Sequence, residues 1–271
     1  MTLVAAVQMA SGPNVGANLI EAGRLIQKSA EAGAALVVLP ENFAIMGMKE
    51  VDKVKIREKS GTGPLQNFLA EQAAKWDVWI VGGTIPMEAD VPDKIRAASL
   101  VYNDNGECVG RYDKIHLFDV HIAESGENYT ESDTIEPGDS VVVLDTPVGK
   151  LGLAICYDLR FPELFRAMHD KGVEVIALPS AFTAITGRAH WGPLVRARAI
   201  ENLSYVVAAA QGGYHINGRE TYGHSMIVDP WGNILDRLPQ GSGFVLADVD
   251  RRLIANTRRN FPALKHRRIS E

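Results

Sequence analysis

Hydrophobic positions along this chain follow two rhythms that take turns. From Thr2 to Met9 they alternate loosely and include β-branched residues, as in a strand. After the breakers Ser11-Gly12-Pro13-Asn14 they return at Leu19, Ala22, Leu25 and Ile26, the spacing of a helix over Ala17 to Ala32. Leu36-Val37-Val38-Leu39 is a continuous apolar run of the kind shown by a strand covered on both faces, and it stops at Pro40-Glu41. Pro64 to Trp76 carries helical spacing again through Leu65, Phe68, Leu69 and Ala73. Val78 to Ile85 reads as the next strand, closed by Pro86.

Between Ala98 and Asp113 two strand-like runs flank Asn103-Asp104-Asn105-Gly106, a hairpin signal. A polar loop is expected from about Val120 to Gly138. A second hairpin follows, Val141 to Leu144 and Lys150 to Ile155, joined through Thr146-Pro147-Val148-Gly149. The alternation then resumes: a helix from Phe161 to His169, a strand Val173 to Leu178, a helix His190 to Asn202 and a strand Tyr205 to Ala210. Two further strands, Ser225 to Val228 and Phe244 to Val249, lie either side of the turn Asp229-Pro230-Trp231-Gly232-Asn233. With no linker or break in composition, the pattern predicts one α/β domain with a mixed sheet, and the number of strands suggests two sheets packed under helices.

One stretch carries chemistry as well as pattern. Leu151-Gly152-Leu153-Ala154-Ile155-Cys156 ends on a thiol, a polar turn follows, and Pro162 stands where a helix can begin without needing its missing N–H. The open N-terminal end of a helix is partly positive, which favours thiolate and draws the pKa below the ~8.5 of a free cysteine. Cys156 is therefore a candidate nucleophile. Its alternative is a small buried hydrophobe at a strand end.

Composition narrows the partners. The chain has 271 residues, 46% of them hydrophobic, enough for a sizeable core. A net charge of -5 argues against a nucleic-acid or membrane-surface partner, which would show a basic face. Arg251-Arg252, Arg258-Arg259 and Arg267-Arg268 are the local exception, expected as solvated or subunit-contact surface in a polar tail. Cys108 and Cys156 form no C-x-x-C pair, so neither disulfides nor structural zinc are expected, and a reducing compartment suits them. Residues 1–10 carry no basic leader, and no apolar stretch approaches the roughly 20 residues that span a bilayer. A soluble, cytoplasmic protein is expected.

A cysteine that cleaves an amide needs something to take its proton, something to return one to the leaving amine, and donors for the oxyanion. His224, in Tyr222-Gly223-His224-Ser225, is the best placed histidine on motif grounds, but reads first as a structural one. Glu41, in Leu39-Pro40-Glu41-Asn42-Phe43, ends a buried strand, where an apolar setting raises a carboxyl pKa above its ~4.3 reference. Lys114, in Tyr112-Asp113-Lys114-Ile115-His116-Leu117, ends another. Strand ends along one edge are where α/β folds gather their chemistry.

These two segments, together with Gly152-Leu153-Ala154-Ile155-Cys156-Tyr157-Asp158-Leu159-Arg160-Phe161-Pro162-Glu163, resemble in order and spacing the three signatures of the nitrilase superfamily of carbon–nitrogen hydrolases. The resemblance runs from Val4 into the C-terminal segment. It implies a four-layer αββα sandwich that pairs across a two-fold axis into a homodimer or higher homo-oligomer. It also implies a catalytic triad of Glu41, Lys114 and Cys156, with a second glutamate after the lysine. Glu131 fits that place best, because Glu131-Ser132 precedes Pro137-Gly138-Asp139; Glu127 and Glu124 are the alternatives.

Tyr157, where a nitrilase has tryptophan, is similar to the amidase branch that takes small carboxylated substrates. Arg160 suits a substrate carboxylate, or an ion pair with Glu163 or Asp158. Pro179 to Gly187, His190-Trp191, Ala208 to Gln211 and Tyr222 to Gly232 look more like the branch that hydrolyses deaminated glutathione than like the ω-amidases. By that resemblance Phe182 and Thr186 line the acyl pocket beside Arg160, and the Tyr157 N–H shares the oxyanion with Lys114. As bare sequence, Phe182 is core. Deaminated glutathione and 2-oxoglutaramate would leave the same acyl group on Cys156, differing in whether cysteinylglycine or ammonia departs. Loops such as Gly212 to Thr221 would tell them apart. A non-catalytic scaffold would be favoured by loss of Glu41, Lys114 or Cys156, and all three are present. With no G-x-S-x-G elbow, phosphate cradle or ligand cluster visible, no cofactor and no metal are expected.

Overall fold

A computed structural model describes residues 2–123 and 126–269. Strands Gly243–Val249, Thr2–Gln8, Leu36–Val38, Trp79–Val81 and Ile95–Tyr102 lie side by side in that order, and Ile85–Glu88 and Cys108–Asp113 also pair with Ile95–Tyr102. A second sheet runs Ile234–Leu238, Ser225–Val228, Tyr205–Ala210, Val175–Ser180, Gly149–Leu153, Val143–Thr146. Thr2–Gln8 packs across Tyr205–Ala210, so the sheets lie face to face. Helices Val15–Glu31 and Pro64–Trp76 cover the outer face of the first sheet, and Pro162–Asp170 and Ala184–Asn202 that of the second. The result is the expected αββα sandwich.

The apolar runs follow from that layering. Val4 and Ala6 of Thr2–Gln8 join the core between the sheets, while Ala5 and Val7 join the core under the helices. Leu36 and Val38 point one way and Val37 the other. Because side chains alternate across a strand, one buried on both faces must be apolar throughout.

The structure departs from the sequence pattern most clearly in four places. The run expected to end before Pro86 is two strands, Trp79–Val81 and Ile85–Glu88, the second containing the proline. The Pro86 carbonyl accepts from the Glu58 N–H at 3.0 Å, so its nitrogen also faces away from Ile95–Tyr102 and no ladder bond is lost. The expected polar loop holds a strand pair, Asp119–Ile122 with Glu127–Thr130, and the short 3₁₀ turn Glu131–Asp133. The last long helix begins at Ala184 rather than His190, capped by Thr183; Gly187 lets its first turns lie against Tyr222, where a Cβ would come within 2.3 Å of the Tyr222 Cβ. Finally, the basic tail is partly a helix, Arg251–Asn260. Its Ile254 is buried and its Arg258 donates to Leu203 O and Ser204 Oγ, while Arg251, Arg252, Arg259, Arg267 and Arg268 are exposed.

The two sheets present their strand ends to one another. Met9 bridges Gln211, whose side chain donates to the backbone oxygen of Glu41 at 3.1 Å. Chemistry from both sheets can therefore meet there.

Candidate active site

Lys114 leaves the end of Cys108–Asp113 with its ammonium fully buried between two carboxylates. Nζ lies 2.8 Å from Glu41 Oε1, and 3.0 and 2.7 Å from Glu131 Oε1 and Oε2. The Phe118 N–H donates to Glu131 Oε2 at 2.8 Å, and Glu41 is 4% exposed. Such burial is tolerable only because charge and hydrogen bonds are satisfied together. The short 3₁₀ turn after the hairpin is what brings Glu131 to the lysine. Glu127 lies on the strand before it, and Glu124 lies outside the described residues.

Cys156 opens the 3₁₀ turn Cys156–Arg160 at φ +47°, a left-handed conformation that a side chain rarely adopts. The fully buried carboxylate of Asp158 holds it there. It accepts from the Ile155 N–H at 2.8 Å, the Tyr112 hydroxyl at 2.7 Å and the His116 N–H at 3.1 Å, with His116 Nδ1 at 2.7 Å. The His116 ring in turn stacks on Phe161 at 3.7 Å. Sequence reading offered Asp158 only as an ion-pair partner for Arg160; the sole signal of its real place was its position three residues beyond Ile155, where it can cap the turn.

Cys156 opens onto a narrow cavity of about 290 Å³ lined by Glu41, Glu131, Tyr157, Phe182, Thr186 and Arg219, among others. It adjoins a wider vestibule of about 1010 Å³, open mouth included; Phe118, Glu131 and Arg219 line both. Tyr157 meets Phe118 and Phe161 edge-on. Phe182 is 6% exposed and packs on Trp191, so it is core and cavity wall at once. The Thr186 hydroxyl bonds that of Thr183 at 2.8 Å. Arg160 pairs with neither Asp158 nor Glu163 among the described residues. Its guanidinium lies 5.4 Å from the Phe182 ring centre and 5.9 Å from that of Tyr157, with Nη1 3.1 Å from His190 Nδ1. His224 stands apart: its carbonyl accepts from Trp191 Nε1 at 2.8 Å and its ring stacks on Tyr222. Among the described residues no group of three His, Cys, Asp or Glu is placed to hold a metal.

The carbon–nitrogen hydrolase family profile matches residues 3–259. The chain belongs to that family. A deaminated glutathione amidase from Yersinia enterocolitica is 43% identical over 266 residues, covering 98% of this chain and 92% of the relative. The crystal structure of Saccharomyces cerevisiae Nit3, a member of branch 10 of the nitrilase superfamily, superposes with a TM-score of 0.88 at 34% identity, covering 99% of this chain and 97% of that one. The Caenorhabditis elegans NitFhit protein has the same TM-score and identity, covering 98% of this chain, which spans 65% of the worm protein. This carbon–nitrogen hydrolase is an amide-hydrolysing enzyme.

Electrostatics in this hydrolase correct one expectation. Burial pushes the Cys156 thiol well above its ordinary range, and the charge of Glu41 adds to that; the Lys114 ammonium and the Ala181 N–H oppose it without prevailing. A five-residue turn supplies too little dipole to offset desolvation. The thiol is therefore protonated at neutral pH, and attack needs a base beside it. Burial alone would lower the Lys114 pKa, yet Glu131 and then Glu41 outweigh it and hold the ammonium charged well above its usual range. Burial works against the Glu131 carboxylate too, but Lys114, then Lys53, keep its pKa low. We expect the ultraviolet thiolate absorbance, taken as wild type minus Cys156→Ser, to be absent at neutral pH and to develop only above the ordinary thiol value of 9.0. A thiolate signal already complete at neutral pH would contradict this reading of the site.

Proposed function

We propose that residues 1–271 act as one hydrolase domain that cleaves deaminated glutathione to 2-oxoglutarate and cysteinylglycine through a thioester on Cys156. The observation that carries it is a fully buried ammonium gripped by two carboxylates, both of which line the narrow cavity of the protonated thiol. Relatives named deaminated glutathione amidase, matched over 98–99% of this chain, support the choice of substrate.

In this reading Glu41 takes the thiol proton as Cys156 Sγ bonds to the amide carbon. The oxyanion is held by the Lys114 ammonium and by the Tyr157 N–H. The latter is an early amide of its turn, without an intrahelical acceptor. Glu41 passes its proton to the nitrogen, the C–N bond breaks and the amine departs. Water then gives a proton to Glu41 as its oxygen attacks the thioester; the C–S bond breaks, and the sulfur recovers that proton. Glu131 fixes Lys114 throughout. Phe182 and Thr186 line the acyl end, with Arg160 behind the Phe182 and Tyr157 rings drawing the oxo-acid carboxylate. Pairing of two copies across a two-fold axis and a cytoplasmic setting belong to the same reading. No helix among the described residues is long and apolar enough to cross a membrane.

The test is a side-by-side assay of deaminated glutathione and 2-oxoglutaramate, following release of dipeptide and of ammonia. The dipeptidyl amide is expected to have the higher kcat/KM. Preference for the simple amide by about tenfold, a difference one leaving-group contact can supply, would reassign the enzyme to the ω-amidase class.

A further inference from the structure

Arg219 is a half-buried cation whose buried Nε is an unused donor. Its Nη2 donates to the Ala181 carbonyl at 2.8 Å and its guanidinium lies 5.1 Å from the Tyr129 ring centre. Nε is buried and has no hydrogen-bond partner among the described residues, and no carboxylate there lies within ion-pair distance of the group. The cations buried among the described residues are matched: Lys53 by Glu50 at 2.8 Å, Lys114 by Glu41 and Glu131, Arg198 by Glu201 at 2.8 Å. A guanidinium N–H left dry and unpaired is destabilising unless something else arrives to accept from it.

Its place says what arrives. Arg219 lines both the cavity of Cys156 and the outer vestibule. Ala181 touches both centres, its N–H acting on the Cys156 sulfur and its carbonyl accepting from Arg219. The acidic side chains on the vestibule wall are engaged: Glu50 by Lys53, Glu131 by Lys114 and Glu127 by the Tyr129 hydroxyl. The loop is also pinned: Asn217 donates to Gly47 O at 2.7 Å and accepts from the Arg219 N–H at 3.0 Å, while Thr183 bridges Thr221. A rigid, preorganised fork at the mouth therefore faces whatever leaves the narrow cavity.

We propose that Arg219 binds a carboxylate on the amine side of the scissile bond, selecting amides whose leaving group is an amino acid or peptide over those that release ammonia. This rests on the reading of Cys156 as nucleophile, and it assigns to one side chain the discrimination between the two candidate substrates. The acyl half must lie in the narrow cavity against Phe182 and Thr186, so the amine side is the part that reaches the vestibule, where Arg219 stands.

The experiment compares kcat/KM of wild type, Arg219→Met and Arg219→Lys on deaminated glutathione and on 2-oxoglutaramate, which share their acyl half. The ratio between the two substrates should fall at least about thirtyfold in Arg219→Met, mainly through KM for the dipeptidyl amide, with partial recovery in Arg219→Lys. An equal loss on both substrates would make Arg219 a support for the Ala181 backbone and overturn the proposal. Should wild type cleave neither amide, the substrate reading fails, and Arg219 is still tested by ligand protection. Alanylglycine, a dipeptide with no thiol to consume the reagent, should slow alkylation of Cys156 by iodoacetamide in wild type, its C-terminal amide should not, and the difference should vanish in Arg219→Met. Equal protection by acid and amide overturns the proposal.

Discussion

Cys156→Ala is expected to abolish turnover, by a factor on the order of 10⁴ or more, while leaving the protein folded. No other side chain on the cavity wall can replace the sulfur. The Thr183 and Thr186 hydroxyls are bonded to each other, and Tyr157 is wedged edge-on between two phenylalanine rings. The change removes one atom from a cavity wall rather than from a packed core, and alanine meets the same left-handed strain at φ +47°. Thermal stability should accordingly stay within about 1 kcal/mol of wild type. Dipeptide release in a stopped assay and a melting curve on the same sample check both halves. Amide hydrolysis at the wild-type rate would end the thioester mechanism.

Lys114→Met should fail in both respects. Without the ammonium, the Glu41 and Glu131 carboxylates face each other in a site where the lysine was fully buried and they are 5% and 14% exposed. Breaking a buried pair by removing one partner is destabilising by about 3–5 kcal/mol, equivalent to roughly 10 °C in melting temperature for a chain of this size. Turnover should vanish with the oxyanion donor. The pH dependence distinguishes this from simple loss of packing. In the wild type, Glu131 has a lowered pKa, so its pair with Lys114 contributes stability above the ordinary carboxyl value of 4.5, and that contribution is lost as pH falls through the lowered value. In Lys114→Met the two carboxylates favour a proton in the folded state, which inverts the sign. The gap in stability between mutant and wild type should therefore narrow as the solution is acidified. A gap independent of pH from neutrality to the carboxyl range would show that the pair contributes nothing electrostatic.

Much of the fold could be read from the chain because the relevant signals are local. The helix Pro64–Trp76 and the strands Tyr205–Ala210 and Ser225–Val228 begin and end where periodicity and breakers placed them. Elements stabilised from outside were harder to see. Ala184–Asn202 starts early because Thr183 caps it and Tyr222, distant in sequence, accepts the close approach of Gly187. The hairpin that delivers Glu131 reads as a polar loop, since half of its strand residues are exposed and ties such as Phe118 on Tyr129 and the buried Ile122 depend on the tertiary fold. The site divides in the same way. Glu41, Lys114 and Cys156 each end a strand in a recognisable segment, whereas Asp158, Phe118 and Arg219 gain their roles from partners that local pattern does not reveal.

By itself the sequence determined the layered α/β order, the family signatures and the identity of the thiol, ammonium and carboxyl groups put forward for the chemistry. Side-chain alternation, helix period and strand termini all act over a few residues, so they survive in one dimension. Only the tertiary structure decided that the thiol keeps its proton and the ammonium its charge, and which cation waits for a ligand. The thiol's affinity for its proton depends on burial and on a carboxylate 115 positions earlier in the chain, as the numbers of Glu41 and Cys156 show. The unpaired Nε of Arg219 acquires meaning only where two sheets bring its loop to the rim of the cysteine's cavity. Desolvation and Coulomb forces depend on distance through space, and distance along the chain does not encode them.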